Sequence, residues 1–228
     1  MMGSQTATGT APGGETVRVR DADGEADAWY LQRQLHHWFG AEYKSGTALQ
    51  LDLFPIAEWT LADDAEHADE LPLDAHGVIA EHRRGDRAVR VGGGVALLLD
   101  AETAADECAA ASFDADALVS EPTAFLLVGV VDQAWRGRGL GAALFDRRLD
   151  WARDSEAEMA ISFGWERRDG ATSRPLFESR GFEPVERIDG LYAETERASC
   201  PDCGVWPGDG EACRCDATIW ASEVQSDD

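Results

Sequence analysis

The sequence predicts an α+β domain with a small zinc ribbon appended near its C-terminal end. Three stretches carry that expectation. Residues 124–151 read as a buried strand, a glycine-rich loop and an amphipathic helix; residues 77–99 read as a hairpin; residues 200–215 hold four of the five cysteines in two close pairs. A hairpin beside a buried strand calls for antiparallel pairing, and the helix that follows that strand must cover the sheet.

In chain order, residues 1–14 are rich in Gly, Ser, Thr and Ala and lack a signal peptide's apolar segment, so they predict a flexible tail. Glu15 to Arg20 alternates as a short strand. Asp23 or Gly24 can cap a helix whose apolar stripe is Ala28, Leu31, Leu35 and Trp38. His36 and His37 are adjacent, so they do not share a helix face and do not read as a joint metal site. Leu49 to Trp59 is mixed and broken by Pro55; Asp63 to Glu70 is a solvated acidic run. Gly77 to Arg83 and Ala88 to Leu99 flank the turn Arg84-Gly85-Asp86-Arg87. The triple glycine Gly92-Gly93-Gly94 predicts a bulge or a close backbone approach. Residues 101–120 read as a helix-prone insertion holding the isolated Cys108.

Phe125 to Val131 is a continuous apolar run, the pattern of a strand buried on both faces. Arg136-Gly137-Arg138-Gly139-Leu140-Gly141 follows, and Leu140, Ala143, Leu144 and Trp151 form one helix side. A helix start with unpaired amides, bare glycines and two arginines is suited to anions. The plain alternative is a strand-to-helix turn that merely needs glycine. The dinucleotide fingerprint and the phosphate-binding lysine loop both fit worse, since the glycines are spaced two and two and no Lys-Ser or Lys-Thr follows the last one. Met159 to Gly164 predicts the next strand, Arg174 to Arg180 a short helix stopped by Gly181, and Phe182 to Ile188 and Leu191 to Glu196 closing strands.

Two of these pieces carry a resemblance. Val131-Asp132-Gln133-Ala134-Trp135-Arg136-Gly137-Arg138-Gly139-Leu140-Gly141 resembles the acyl-CoA-binding motif of the GNAT superfamily of N-acetyltransferases. Leu176-Phe177-Glu178-Ser179-Arg180-Gly181-Phe182 resembles that family's closing element, in the expected order. The likeness covers roughly residues 16 to 190 and implies the GNAT acyltransferase fold, a mixed, mostly antiparallel central sheet flanked by helices. It also implies acetyl-CoA as co-substrate. Backbone groups at Val130 and Val131 would hold the pantetheine arm, an amide near Gly129 and Val130 would polarise the thioester, and the segment Arg136, Gly137, Arg138, Gly139, Leu140, Gly141 and Ala142 would take the pyrophosphate. Phe177 stands where the family has its acid tyrosine, and Gly170 where it often has asparagine; Tyr192 is the substitute if its strand folds back. Glu166 is the expected general base, with Glu81 and His82 behind it. Two readings of function stay open: an acetyl-CoA-dependent N-acetyltransferase acting on an amine of a small molecule or protein, and a non-catalytic acyl-CoA-binding or partner-binding module.

Cys200-Pro201-Asp202-Cys203-Gly204 and Cys213-Arg214-Cys215 read as a four-thiolate structural Zn²⁺ site, with Ile219, Trp220 and Trp206 packing the ribbon on the body. The alternatives are two disulfides, disfavoured in a cytosolic chain, or a redox pair, for which no surrounding pattern exists. The ribbon is a candidate protein contact. The domain plan is therefore a tail at 1–14, the N-acetyltransferase domain at 15–196, the ribbon at 197–221 and an acidic tail at 222–228.

The chain of 228 residues carries 44 acidic and 20 basic residues, a formal charge of −24, and Lys44 is its one lysine. That surface suits a protein adapted to high salt and argues against nonspecific nucleic-acid binding. No run approaches the length of a membrane span, and a cytoplasmic location is expected.

Overall fold

A computed structural model describes residues 8–11, 15–39, 73–104, 122–166, 172–190 and 215–224. The strands are β1 (Thr8–Ala11), β2 (Glu15–Asp21), β3 (Asp74–Arg84), β4 (Arg87–Leu99), β5 (Thr123–Val131), β6 (Met159–Glu166), β7 (Glu183–Ile188) and β8 (Asp216–Glu223). The helices are α1 (Glu25–Phe39), α2 (Leu140–Asp154) and α3 (Arg174–Glu178). Among the described residues the eight strands form one sheet, in the order β1-β2-β3-β4-β5-β6-β8-β7. Only β5 and β6 pair in parallel, because α2 carries the chain back between them. The expected mixed, mostly antiparallel sheet is what forms.

Two helices sandwich the sheet. On one face, Tyr30 and Leu31 of α1 pack on Ile79, Val95, Leu97, Phe125, Val128, Ile161 and Ile219. On the other, Phe145, Leu149 and Ala152 of α2 pack on Ala96, Ala124, Leu126 and Trp220, while Leu140 and Leu144 cover Val17, Val19, Val78 and Val91. Burial on both faces is why β4 and β5 read as unbroken apolar runs rather than alternating ones. The triple glycine lets the layers close up. A Cβ on Gly93 would run into Leu31 Cδ2, and one on Gly92 would lie 2.8 Å from the Val130 oxygen. A bulge falls beside it, since Ala80 pairs with Gly92 but Glu81 pairs with Arg90.

Three expectations need correction. Residues 8–11, placed in a flexible tail, form β1 against β2, where the β-prone Thr8 and Thr10 let the segment pair with a strand that would otherwise be the edge. Residues 216–223, divided between the ribbon and the acidic tail, form β8 inside the sheet between β6 and β7. Ile219 and Trp220 are thus core residues of the main domain, exposed by 0% and 2%. The ribbon cysteines Cys200, Cys203 and Cys213 fall in the chain between β7 and β8, outside the described residues; Cys215 is buried at the start of β8. Also outside are the 49–59 and 63–70 segments, Cys108, Gly170, Tyr192 and the expected strand at 191–196; of the insertion, residues 101–104 are helical and follow Asp100, whose carboxylate accepts the Thr103 amide. Gly181 ends α3 as expected, with a positive φ of 78°. Among the described residues no helix is long and apolar enough to cross a membrane.

Candidate functional site

The sheet opens at its centre. β5 and β6 pair only from Thr123 with Met159 to Phe125 with Ile161. Beyond those pairs both strands continue and part, β5 to Val131 and β6 to Glu166. The parting begins where β5 slips against β4, in the register shift between Val95 and Leu97. Ser162 Oγ donates to the Leu126 oxygen at 2.8 Å, so a side chain satisfies a carbonyl where the two strands part.

The ladder to β4 fixes which backbone groups face the gap. The Asp132 amide donates to the Val91 oxygen at 2.9 Å. By the alternation of an antiparallel ladder, Val130 and Val128 also bond toward β4, opposite Gly93 and Val95. The amides and carbonyls of Gly129 and Val131 then turn to the open side. Of the residues expected along the pantetheine arm, Val131 therefore presents its backbone to the gap, whereas Val130 presents its own to β4. Arg136 Nε donates to the Val131 oxygen at 3.0 Å and ties the loop to the strand end.

The loop has the geometry of an anion seat. Gly137 and Gly139 take positive φ values of 74° and 79°, and Gly139 is the N-cap of α2 with no side-chain cap. The first amides of α2, at Leu140, Gly141 and Ala142, therefore meet no capping side chain. Cβ atoms on Gly137, Gly139 or Gly141 would meet nothing within 4 Å. Arg138 stacks over Trp135 at 4.7 Å, and His82 lies against the same ring at 4.6 Å. Exposed Arg83, Arg84 and Arg87 of the β3–β4 hairpin lie at this same end of the sheet, past Val131. In a chain of net charge −24, that is a local concentration of positive charge.

The other predicted residues are placed as follows. Glu166 sits at the far end of β6, half-buried, where its Oε1 accepts from Thr218 Oγ1 at 2.9 Å and Arg187 Nη1 lies 3.8 Å from Oε2. Glu81 is in β3, two strands from β5, and is held by Arg18, Arg20 and Arg83. Desolvation would raise its pKa, but the bonds and charges of Arg20 and Arg18 outweigh that and keep it below the usual carboxylate range. Phe177 is buried between Trp220, stacked at 5.2 Å, and Phe145, edge-on at 5.3 Å, so the position expected to hold an acid is part of the core. Among the described residues no three His, Cys, Asp or Glu gather as a metal site.

Sequence reasoning missed three residues that support or pack on β5. Ser162 and Arg148 act on β5 carbonyls, and neither has a motif. Tyr30 of α1 is buried in the same core cluster as Val128, burial pushes its phenol up to about 12, and its hydroxyl has no hydrogen-bond partner among the described residues.

Comparisons with known proteins give one family model and a set of structures of similar fold. The family model described as Acetyltransferase (GNAT) family matches residues 32–182. Among solved structures, Arabidopsis thaliana NAA60 in complex with a bisubstrate analogue is 15% identical, covers 93% of this chain and 100% of its own, and superposes with a TM-score of 0.54. A mosquito arylalkylamine N-acetyltransferase like 5b is 14% identical with a TM-score of 0.51, over 91% of this chain and 99% of its own. An agmatine N-acetyltransferase mutant, apo form, is 14% identical with a TM-score of 0.52 over the same shares. No curated protein matches in sequence.

Proposed function

The chain belongs to the GNAT acetyltransferase family and is an acetyl-CoA-dependent N-acetyltransferase; from that premise we propose which of its groups perform the transfer. Family membership decides between the two functional readings in favour of the enzyme. The acetyl donor lies along the open edge of β5, with its pyrophosphate on the amides of residues 137–142 and its thioester oxygen at the Gly129 amide. The observation that carries this is the gap between β5 and β6, lined by the outward-turned backbone of Gly129 and Val131 and continuous with an uncapped helix start.

The chemistry follows from those groups. The lone pair of a neutral amine attacks the thioester carbon, and the carbonyl electrons move to oxygen, where the Gly129 N–H stabilises them. Collapse breaks the C–S bond and the electrons leave on sulfur. The proton shed by the attacking nitrogen goes to Glu166, directly or through one water. Phe177 offers no proton to the leaving sulfur. A thiol is a far stronger acid than an alcohol, so its anion departs without an acid far more readily than an alkoxide would. The acceptor is an amine of a small molecule or a protein.

A panel of small amines and N-terminal peptides tests this, with release of free CoA thiol as the readout. Acetylated product above the hydrolysis background is expected with some members. Tight CoA binding with no transfer to any amine would defeat the catalytic assignment of Glu166.

We also infer that Cys200, Cys203, Cys213 and Cys215 bind a structural zinc ion. Their spacing supports this, as does the burial of Cys215 at the mouth of β8, in the one connection that holds the other three. All four thiolates would be consumed as ligands, leaving no place for a reacting group. Denaturation should release one zinc per chain; release of much less would refute the site.

A further inference from the structure

A buried cation under β5 takes no part in the transfer steps above. Arg148 lies on α2 and is 4% exposed. Its Nη1 donates to the Val128 oxygen at 2.6 Å and the Val95 oxygen at 3.3 Å, and its Nε donates to the Leu144 oxygen at 3.2 Å. Among the described residues no carboxylate pairs with it. Burial pulls its pKa down to about 10, so it remains charged at neutral pH.

Packing does not explain this residue. Its neighbours on the helix, Leu144, Phe145 and Leu149, are apolar and buried, and a leucine would suit the same face. A charge enclosed without a counterion is costly. Glycine also leaves room for it: a Cβ on Gly129 would meet only the guanidinium, 2.7 Å from Arg148 Nη2, while one on Gly94 would lie 2.8 Å from Arg148 Nε and 2.9 Å from the Val128 oxygen. The guanidinium thus sits directly beneath the residue whose amide faces the gap.

The geometry links the two. The Val128–Gly129 peptide is planar and trans, so its oxygen and its N–H point opposite ways. The oxygen accepts from Arg148; the N–H turns to the open side. We propose that Arg148 is a positioning residue for acetyl transfer: through the Val128–Gly129 peptide its charge polarises the Gly129 N–H toward the thioester oxygen as that oxygen becomes an oxyanion. Arg148 keeps its protons throughout and forms no bond to the substrate. Hydrogen bonds in a chain strengthen one another, and the low dielectric around a buried charge makes its field effective. The proposal rests on the donor lying along β5, as argued above.

Isotope-edited infrared spectroscopy of acetyl-CoA labelled with ¹³C at the carbonyl reads this directly and needs no acceptor. Binding to the wild-type enzyme should lower the carbonyl stretch. Arg148→Leu should lose most of that shift and slow transfer on the order of tenfold to a hundredfold, less than deletion of an oxyanion donor typically costs. KM for acetyl-CoA should change little, and Arg148→Lys should recover part of both the shift and the rate. A wild-type shift and kcat in Arg148→Leu would overturn the proposal, whatever happens to its melting temperature. Should Arg148→Leu not fold, Gly129→Ala takes its place, because the added Cβ meets only the guanidinium and pushes it aside with the charge retained. An unchanged shift in that variant is equally fatal. Calorimetry with CoA separates the premise: if the wild type does not bind CoA, the donor site itself fails, and the proposal with it.

Discussion

Gly141 shows best how one residue reports on the site. Unlike Gly137 and Gly139, it has no positive φ, since it lies within the first turn of α2. Nothing stands within 4 Å of where its Cβ would be. Neither backbone strain nor crowding requires glycine there, and alanine is the better helix former, by up to about 0.8–1 kcal/mol. On the donor placement proposed above, room above the amides for a phosphate would account for it. Gly141→Ala should therefore stabilise the ligand-free protein by about 0.5–1 kcal/mol. Gly141→Glu should fold normally yet bind CoA at least about tenfold more weakly, a cost of about 1.4 kcal/mol, by filling and charging the seat. Calorimetric titration checks both, and undiminished affinity in Gly141→Glu would reduce the loop to a turn. The glycines were legible in the sequence because their spacing is local. Ser162 and Arg148 were not, nor was the choice of Gly129 over Val130 for the amide that the resemblance placed near both, because each depends on where β5 slips against β4 and parts from β6. A one-residue change of register redirects every backbone group beyond it, and no local pattern records it.

At the scale of elements, the docking of α1 decides how one side of the sheet is closed. Asp27 of α1 is fully buried, and its carboxylate accepts from Arg20, Arg90 and the Asp23 amide. Desolvation pushes its pKa up, but those donors outweigh it and hold the carboxyl below the usual range. A folded pKa below the unfolded value, about 3.9, means a stabilising contribution fully present above that pH. It is lost as the pH falls through the folded value. Asp27→Asn should cost about 3 kcal/mol at neutral pH, since it takes the carboxylate from Arg90 and leaves Arg20 with Glu81 alone, and should flatten the loss of stability below about pH 4. Thermal melts from pH 7 to pH 2 test this; parallel pH profiles for variant and wild type would show that Asp27 is not the linked group. The hairpin, the central strand and the helix after it were readable because each carries its own period and punctuation. β1 and β8 were not. β1 is four residues of a polar tail whose pairing exists only because β2 leaves an edge free. β8 follows the cysteines directly, and its Ala-Thr-Ile-Trp-Ala run reads equally well as ribbon packing until the sheet shows a vacancy between β6 and β7.

For the whole molecule, charge sets the conditions under which the fold holds. Arginines gather at one end of the sheet, on the β3–β4 hairpin and the glycine loop, where on the donor placement proposed above they would meet the phosphates of acetyl-CoA. Elsewhere acidic residues dominate, and the formal charge of −24 is spread over almost every segment. Like charges on one compact body repel, and the unfolded chain relieves that repulsion by expanding. At about 0.01 M salt the screening length is about 30 Å, comparable to a domain, so nearly every acidic pair contributes; at about 1 M it is about 3 Å and only touching pairs remain. The buried ion pairs around Asp27 and Glu81 are screened far less by the same salt, so their attraction survives while the surface repulsion fades. Stability should therefore rise steeply from low to molar KCl, and the melting temperature with it. Melting that stays unchanged from millimolar to multimolar KCl would mean that the acidic surface serves solubility alone.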